Sequence, residues 1–260
     1  MKTFHHLMFL CYNQSNSTYK GMGIVIEYLS KTIGLIMMGN SASAEREFHL
    51  AVPENIGVVT TRVPFYSISK TGLFEMIDCL SDAVKLLKQA RSNVVVLPSA
   101  IGSYLRGSEI VNTIQQVAGL PTIIPSLQYK ELLQRINAKN IMLVSSFSME
   151  LSLLATIYFD SCGVSVSDTI HIQNLIDTDP FNIEAMDYQQ VFDKIRTYDF
   201  RGIDAVIFDN PAFRFSSDTI CELEKHIQVP MFNLVQVLIF GALEHIGEST
   251  DNLYISKFLR

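Results

Sequence analysis

The chain has 260 residues, 48 % apolar and 18 % charged, which is enough to bury a large core as one domain or two small ones and excludes a disordered chain. A formal charge of −6, with Lys and Arg scattered, excludes the basic stripe that would recruit nucleic acid or an anionic membrane. Cys11, Cys79, Cys162 and Cys221 form no CxxC or Cys/His spacing, so no metal site and no disulfide framework is expected, and a reducing cytoplasm suits them best.

Residues 1–30 read as a poorly ordered N-terminal extension that holds His5 and His6. Its apolar patch, Leu7–Tyr12, is too short for a signal-peptide core or a membrane span. The patterned part begins with a strand over 33–38, a polar turn, and a short amphipathic helix over Ala44–Ala51 with Glu45 and Glu47 in its first turns. A strand over Gly57–Arg62, one long helix over Thr71–Gln89 and a strand over Val94–Leu97 follow. A helix over Ser108–Ala118 stops at Gly119-Leu-Pro121, a short strand spans Pro121–Pro125, and a helix covers Leu127–Ile136.

The plan then repeats. Strands over Ile141–Val144, Ser165–His171 and Ala205–Phe208 alternate with helices over Met149–Cys162, Tyr188–Thr197 and Ser217–Ile227. A strand over Val229–Asn233 and an apolar helix over Leu234–Ile246 close the chain. Two segments have near copies about 110 residues on: Thr32–Asn40 with Asn140–Ser148, and Asn93–Ala100 with Asp204–Pro211. Each is a short Val/Ile-rich run that breaks into small or polar residues, as a buried parallel strand does at its end. The expected fold is therefore α/β, with two pseudo-symmetric parallel-sheet halves and a site in the cleft between them. The first half spans 31–137, joined by the C-terminal helix 234–246, and the second spans 138–233.

Ligands of such sheets sit beyond the carboxyl ends of the strands, which places Met38–Ser41, Ser99–Gly102, Ser145–Ser148, Asp209–Pro211 and Asn233–Gln236 on one rim. Ser99 and Asn210 occupy equivalent strand ends. Asp209 either serves Ser99 as a base, or caps a turn or pairs with Arg106 or Arg214. Asn210 cannot titrate, so it orients a carboxylate or holds a turn ahead of Pro211. Asn40, Ser41 and Ser43 either present backbone N–H groups to an anion or cap a helix, and Arg62 and Arg106 either neutralise a dicarboxylate or lie on the surface. His171, at a strand end, is the one histidine expected near the rim. The absence of a Gly-rich phosphate loop, HExxH, GxSxG and GxGxxG disfavours kinase, zinc protease, α/β-hydrolase and dinucleotide enzymes.

Ser99-Ala-Ile-Gly-Ser-Tyr-Leu-Arg-Gly107, followed by Val117-Ala-Gly-Leu-Pro121 and Lys139-Asn-Ile-Met-Leu-Val144, resembles the arylmalonate decarboxylase and maleate isomerase branch of the aspartate/glutamate racemase superfamily. Ile33-Gly-Leu-Ile36 with Gly39–Phe48 is similar to that family's opening strand and carboxylate-binding loop, and Val229-Pro230 with Asn233 and Gln236 to its last strand and turn. The resemblance implies a cofactor-free site in which a proton moves on or off a carbon next to a carboxylate. It implies cysteines at one or both of the symmetric strand ends, where this chain has Ser99 and Asn210. The family's tyrosine after the second half's first strand is matched by Phe147, and part of its carboxylate pocket by Ala100, with Ser103 close by.

The resulting expectation is a cytoplasmic, cofactor-independent decarboxylase- or isomerase-like enzyme for a small mono- or dicarboxylate, with altered catalytic residues Ser99, Asp209 and Asn210. Gly39, Asn40, Ser41, Ala100, Ile101, Ser103, Phe147, Pro211 and Asn233 would bind the substrate, and Met38, Ile101, Phe147 and Phe213 would form a dry wall. The alternative is an inactive relative that binds a carboxylate metabolite or a protein. A homo-oligomer is also open.

Overall fold

The structure is a computed structural model and describes residues 29–39, 41–172, 188–213, 217–251 and 253. The sequence-based N-terminal extension therefore lies almost wholly outside the described residues, as do Asn40 and Arg214. In chain order the first half holds β1 (Lys31–Met38), α1 (Ser43–Ala51), β2 (Ile56–Val63), α2 (Lys70–Asp78), α3 (Leu80–Gln89), β3 (Val94–Val96), α4 (Ala100–Ala118), β4 (Thr122–Ile123) and α5 (Pro125–Arg135). The second holds β5 (Asn140–Ser145), α6 (Met149–Ser161), β6 (Ser165–His171), α7 (Gln189–Thr197), β7 (Ala205–Phe208), α8 (Ser217–Ile227), β8 (Met231–Asn233) and α9 (Leu234–His245).

The two halves have the same architecture. Each is a four-stranded, all-parallel sheet, in the order β2-β1-β3-β4 and β6-β5-β7-β8. The repeated segments are its two central strands: Leu35 pairs with Val96 in one sheet, and Val144 with Phe208 in the other. Strand order reverses at these central pairs, so the crevice beyond their carboxyl ends is where an open α/β sheet takes a ligand. The central strands are buried on both faces, which is why they read as unbroken apolar runs such as Val94-Val-Val96.

Three elements differ from the sequence reading. The helix expected over Thr71–Gln89 is two, α2 and α3, because the chain tightens at Cys79, whose N–H bonds to Met76 O at 3.2 Å. Helix α4 begins at Ala100 rather than Ser108. Its small, Gly-containing opening has weak helix propensity and is carried by burial of Ala100, Ile101 and Ser103, with the irregularity confined to Arg106 (φ −140°, ψ 38°). The strand at 121–125 shrinks to Thr122–Ile123, since Pro125 opens α5 in the first-turn position that suits its missing N–H.

One core runs through both halves. Ile141, Leu143, Ala205 and Ile207, on one face of the second sheet, join the first half's core together with Leu151, Ala155 and Phe159 of α6. The other face, with Met142, Val144, Val206 and Phe208, packs under α7 and α8. Helix α9 returns to pack on α1, α5, β3 and β4. Lys31 binds Glu248 at 2.9 Å, and Arg135 binds Glu244 at 2.9 Å.

Candidate functional site

Ser99 ends the loop after β3 and is the N-cap of α4, with extended backbone (φ −115°, ψ 96°). Its hydroxyl does not cap the helix and has no hydrogen-bond partner among the described residues; it lies over Gly102, where an added Cβ would stand 2.6 Å from Oγ. The opening N–H groups of α4, from Ala100 to Gly102, are the ones a helix leaves unsatisfied, and they sit at its positive end. Ser103 is spent on structure: its Oγ donates to Ala100 O at 2.8 Å and accepts from Ser126 N at 3.1 Å.

The loop after β1 is pinned from beneath. Arg62 donates to Met38 O and Ser41 O and pairs with Glu45, so it braces this loop. Arg106 pairs with Glu109 and stacks over Phe74 at 3.9 Å. Ser43 Oγ reaches across to Pro211 O at 3.5 Å, which brings the Gly39–Ser43 loop to the second half's strand end.

Asp209 follows β7 and is wholly buried. Burial pushes its carboxyl up to about 8, although the hydroxyl of Ser145, donating to Oδ2 at 3.2 Å, and its own backbone N–H pull the other way. It is thus a neutral carboxylic acid at pH 7. Ser152 donates to Ser145 Oγ at 3.1 Å and Phe147 N–H does so at 3.3 Å, so the Ser145 hydroxyl has its one donor and two acceptor positions filled. Among the described residues Asp209 Oδ1 has no partner, nor has the buried hydroxyl of Tyr104. Burial raises the Tyr104 and Tyr129 hydroxyls well above their ordinary range, and Asp209 adds to both effects, so the three groups share one interior region. Tyr129 OH donates to Phe208 O at 3.0 Å, linking the halves a second time.

Asn210 holds a turn. Its Oδ1 accepts from Ala212 N at 2.7 Å and its Nδ2 donates to Ser146 Oγ. Asn233 is likewise committed, with Oδ1 capping α9 through Val235 N at 3.0 Å and Nδ2 donating to Phe213 O at 3.2 Å. Phe213 is no cleft wall: it lies in the second core, edge-on to Phe208 and Tyr188, because the turn at Asn210 folds it inward. Met38 and Ile101 are buried in the main core, and Phe147 packs half-buried against it. His171 ends β6 opposite Ser145, and its Nδ1 is buried with no partner among the described residues.

The structure thus gathers Ser99, Ala100, Gly39, Ser41, Ser43, Asp209, Asn210 and Pro211 on the carboxyl rim of the central strands. The sequence reading gave Ser145 a place on this rim but no role, and missed Ser152, Tyr104 and Tyr129. A buried Asp needs donors, and Ser145 stands at the end of the paired strand. Among the described residues there is no cluster of three metal-binding side chains, and no helix is long and apolar enough to cross a membrane. Cys79, Cys162 and Cys221 are free, half-buried thiols away from the strand ends of the rim.

No protein-family profile matches the sequence, and no curated protein matches it. Solved structures do. The maleate cis-trans isomerase of Nocardia farcinica superposes with a TM-score of 0.77 at 16 % identity, over 88 % of this chain and 98 % of that one. The maleate isomerase of Pseudomonas putida S16 gives 0.74 at 17 %, over 88 % and 98 %. An arylmalonate decarboxylase gives 0.71 at 14 %, again over 88 % and 98 %. At these identities the likeness establishes the fold: two four-stranded parallel α/β halves arranged as in the maleate isomerases and arylmalonate decarboxylase.

Proposed function

We propose that this protein is a cofactor-independent enzyme of the decarboxylase or isomerase kind, acting on a small mono- or dicarboxylate by moving a proton on or off the carbon beside the carboxylate. The observation that carries this reading is Asp209, a neutral buried acid next to the strand end where the resemblance would put a thiol. Its position near 8 lies close to the ordinary thiol value of about 8.5, so it can give up or retake a proton near neutral pH. The opening turn of α4 and the Gly39–Ser43 loop would hold the carboxylate. In a decarboxylation the carbon–carboxylate bond breaks, carbon dioxide leaves, and the electron pair left on carbon takes a proton from an acid at this strand end, for which Asp209 is the titratable candidate.

A mutant of the Nocardia farcinica isomerase carries a covalently bound succinylcysteine intermediate. This chain has no cysteine at either strand end, which favours plain proton transfer over a covalent route. Free thiols at Cys79, Cys162 and Cys221 accord with a cytoplasmic setting. The test is incubation in D₂O with malonates, maleate, aspartate and glutamate, following substrate loss and deuterium entry at the α-carbon by proton NMR. Turnover or exchange that Asp209→Asn abolishes is the expected result.

Two observations favour a second reading, a non-catalytic carboxylate-binding relative: the side chain of Asn210 is engaged at both ends in its turn, and among the described residues no base is bonded to Ser99. Line broadening of a panel member with no exchange on any of them would establish that reading instead.

A further inference from the structure

Strand β6 ends at His171, and its imidazole belongs to the carboxyl rim. Ile170 and Ile172, on either side of it, are buried in the second core. Successive residues of a strand point to opposite faces, so His171 points away from that core, to the face that looks toward the first half. The register agrees. His171 pairs with Ser145, residues at one register position of parallel strands share a face, and Ser145 binds Asp209. The ends of β6, β5 and β7 therefore set His171, Ser145 and Asp209 in one row, with about 10 Å, or two strand spacings, between the outer two. Asp168, three residues back on β6, is held by Tyr198 OH at 2.8 Å and is no partner for the imidazole.

The two ring nitrogens differ. Nδ1 is enclosed with no partner among the described residues, while the residue as a whole is half-buried and Nε2 is not among the enclosed atoms. A buried N–H without an acceptor is rarer in proteins than a buried lone pair without a donor, so the ring carries its hydrogen on Nε2, at its open side. Along the row the other polar groups are committed or acidic: the Ser145 hydroxyl is filled and Asp209 keeps its proton. Arg62 braces the loop after β1, and Arg106 is paired with Glu109 over Phe74. We propose that His171 is a specificity-determining residue of the site, whose Nε2–H donates to the far carboxylate of a dicarboxylate while the opening turn of α4 holds the near one. This rests on the carboxylate reading given above and narrows it. A hydrogen bond to an ionised oxygen is about twice as strong as one between neutral groups, so the donor prefers a second carboxylate to an ester or an apolar tail at that end.

Long-range proton–nitrogen NMR of the full, nitrogen-labelled chain reads the ring directly, with the His171 signals assigned by their loss in His171→Gln. The free protein should show the Nε2–H tautomer, and maleate should shift Nε2 more than monomethyl maleate does. Calorimetry supplies the second readout. His171→Leu should weaken maleate binding at least about tenfold and monomethyl maleate binding by less than about threefold. His171→Gln, whose amide nitrogen reaches the Nε2 position, should keep maleate affinity within about threefold of the parent, a rescue that a merely structural role would not give. An Nδ1–H tautomer overturns the proposal. So does a His171→Leu variant that binds maleate as the parent does, or that loses diacid and monoester equally; in either case maleate binding by the parent leaves the carboxylate reading standing. A parent chain that binds neither maleate nor a malonate, aspartate or glutamate overturns both.

Discussion

Ser145 Oγ donates to Asp209 Oδ2 at 3.2 Å, and the two residues stand at the ends of β5 and β7 on the face that looks toward the first half. A hydroxyl with all its hydrogen-bonding positions filled is a poor nucleophile but a good orienter. Ser145 therefore fixes which oxygen of Asp209 accepts and leaves Oδ1 to carry the proton. This pair makes the second strand end an acid although its neighbour Asn210 cannot titrate.

The raised Asp209 gives stability a pH dependence whose sign is fixed. Between about pH 4 and pH 8 the folded chain keeps a proton that the unfolded chain has released, so its contribution is complete below the unfolded value of 3.8 and is lost as pH rises through about 8. Stability should fall by up to about 1.4 kcal/mol per pH unit across that window, and Asp209→Asn should remove that slope. Urea midpoints of both proteins at pH 5 and pH 8 measure it; parallel slopes would show that Asp209 is ionised throughout.

Ser145→Ala takes away the donor to Asp209 and the acceptor of both Ser152 Oγ and Phe147 N–H. Ser152 Oγ can still donate to Phe147 O at 3.5 Å, so the cost falls on Asp209 Oδ2 and Phe147 N–H and should be about 1–3 kcal/mol in urea unfolding. Because the Ser145 hydrogen bond holds the Asp209 carboxyl down, its loss should also move that titration upward, as read by carboxyl carbon NMR.

Gly102→Ala tests whether Ser99 matters. The new methyl would stand 2.6 Å from Ser99 Oγ, so the hydroxyl must rotate away, while alanine in a helix gains up to about 1 kcal/mol over glycine. Unchanged or higher thermal stability with at least a tenfold loss of deuterium exchange is expected. Retained exchange would leave Ser99 without a part in the chemistry.

The strand ends were legible because a parallel strand buried on both faces is an apolar run with an abrupt polar stop, and Val94-Val-Val-Leu97 and Ala205-Val-Ile-Phe208 stop that way in both halves. The repeat made the two sheets legible together. The break at Cys79 was not, since apolar residues keep their helical spacing from Leu73 through Leu87. Nor was the early start of α4, whose opening residues are small and weakly helical and are held by tertiary burial. The partner of Asp209 depends on how β5 and β7 align side by side, and no local pattern at 209 encodes that register.

Cysteine at the two strand ends asks whether the scaffold retains the chemistry its resemblance implies. Ser99→Cys puts an ionisable thiol, ordinarily near 8.5, at the uncapped start of α4, where the helix end favours its thiolate. Asn210→Cys must also break the turn bonds to Ala212 and Ser146, so it should lose about 1–2 kcal/mol of stability that Ser99→Cys keeps. Faster exchange in Ser99→Cys, in the D₂O assay, would mark a site that still aligns a carbon acid with this strand end. An inert Ser99→Cys that binds the same ligand would argue for the non-catalytic reading.

Two tyrosines in the same interior give opposite expectations. Tyr129 OH donates to Phe208 O at 3.0 Å, so Tyr129→Phe removes a buried hydrogen bond between the halves and should destabilise by about 1 kcal/mol. Tyr104 OH is buried with no partner among the described residues, while its ring stacks on Tyr158 at 5.1 Å. Tyr104→Phe keeps the stack and removes an unsatisfied hydroxyl, so it should be neutral or stabilise by about 1 kcal/mol. Thermal unfolding of both variants at pH 6 separates them. A loss in Tyr104→Phe as large as in Tyr129→Phe would mean that the hydroxyl has a partner, such as an internal water, that the described residues do not supply.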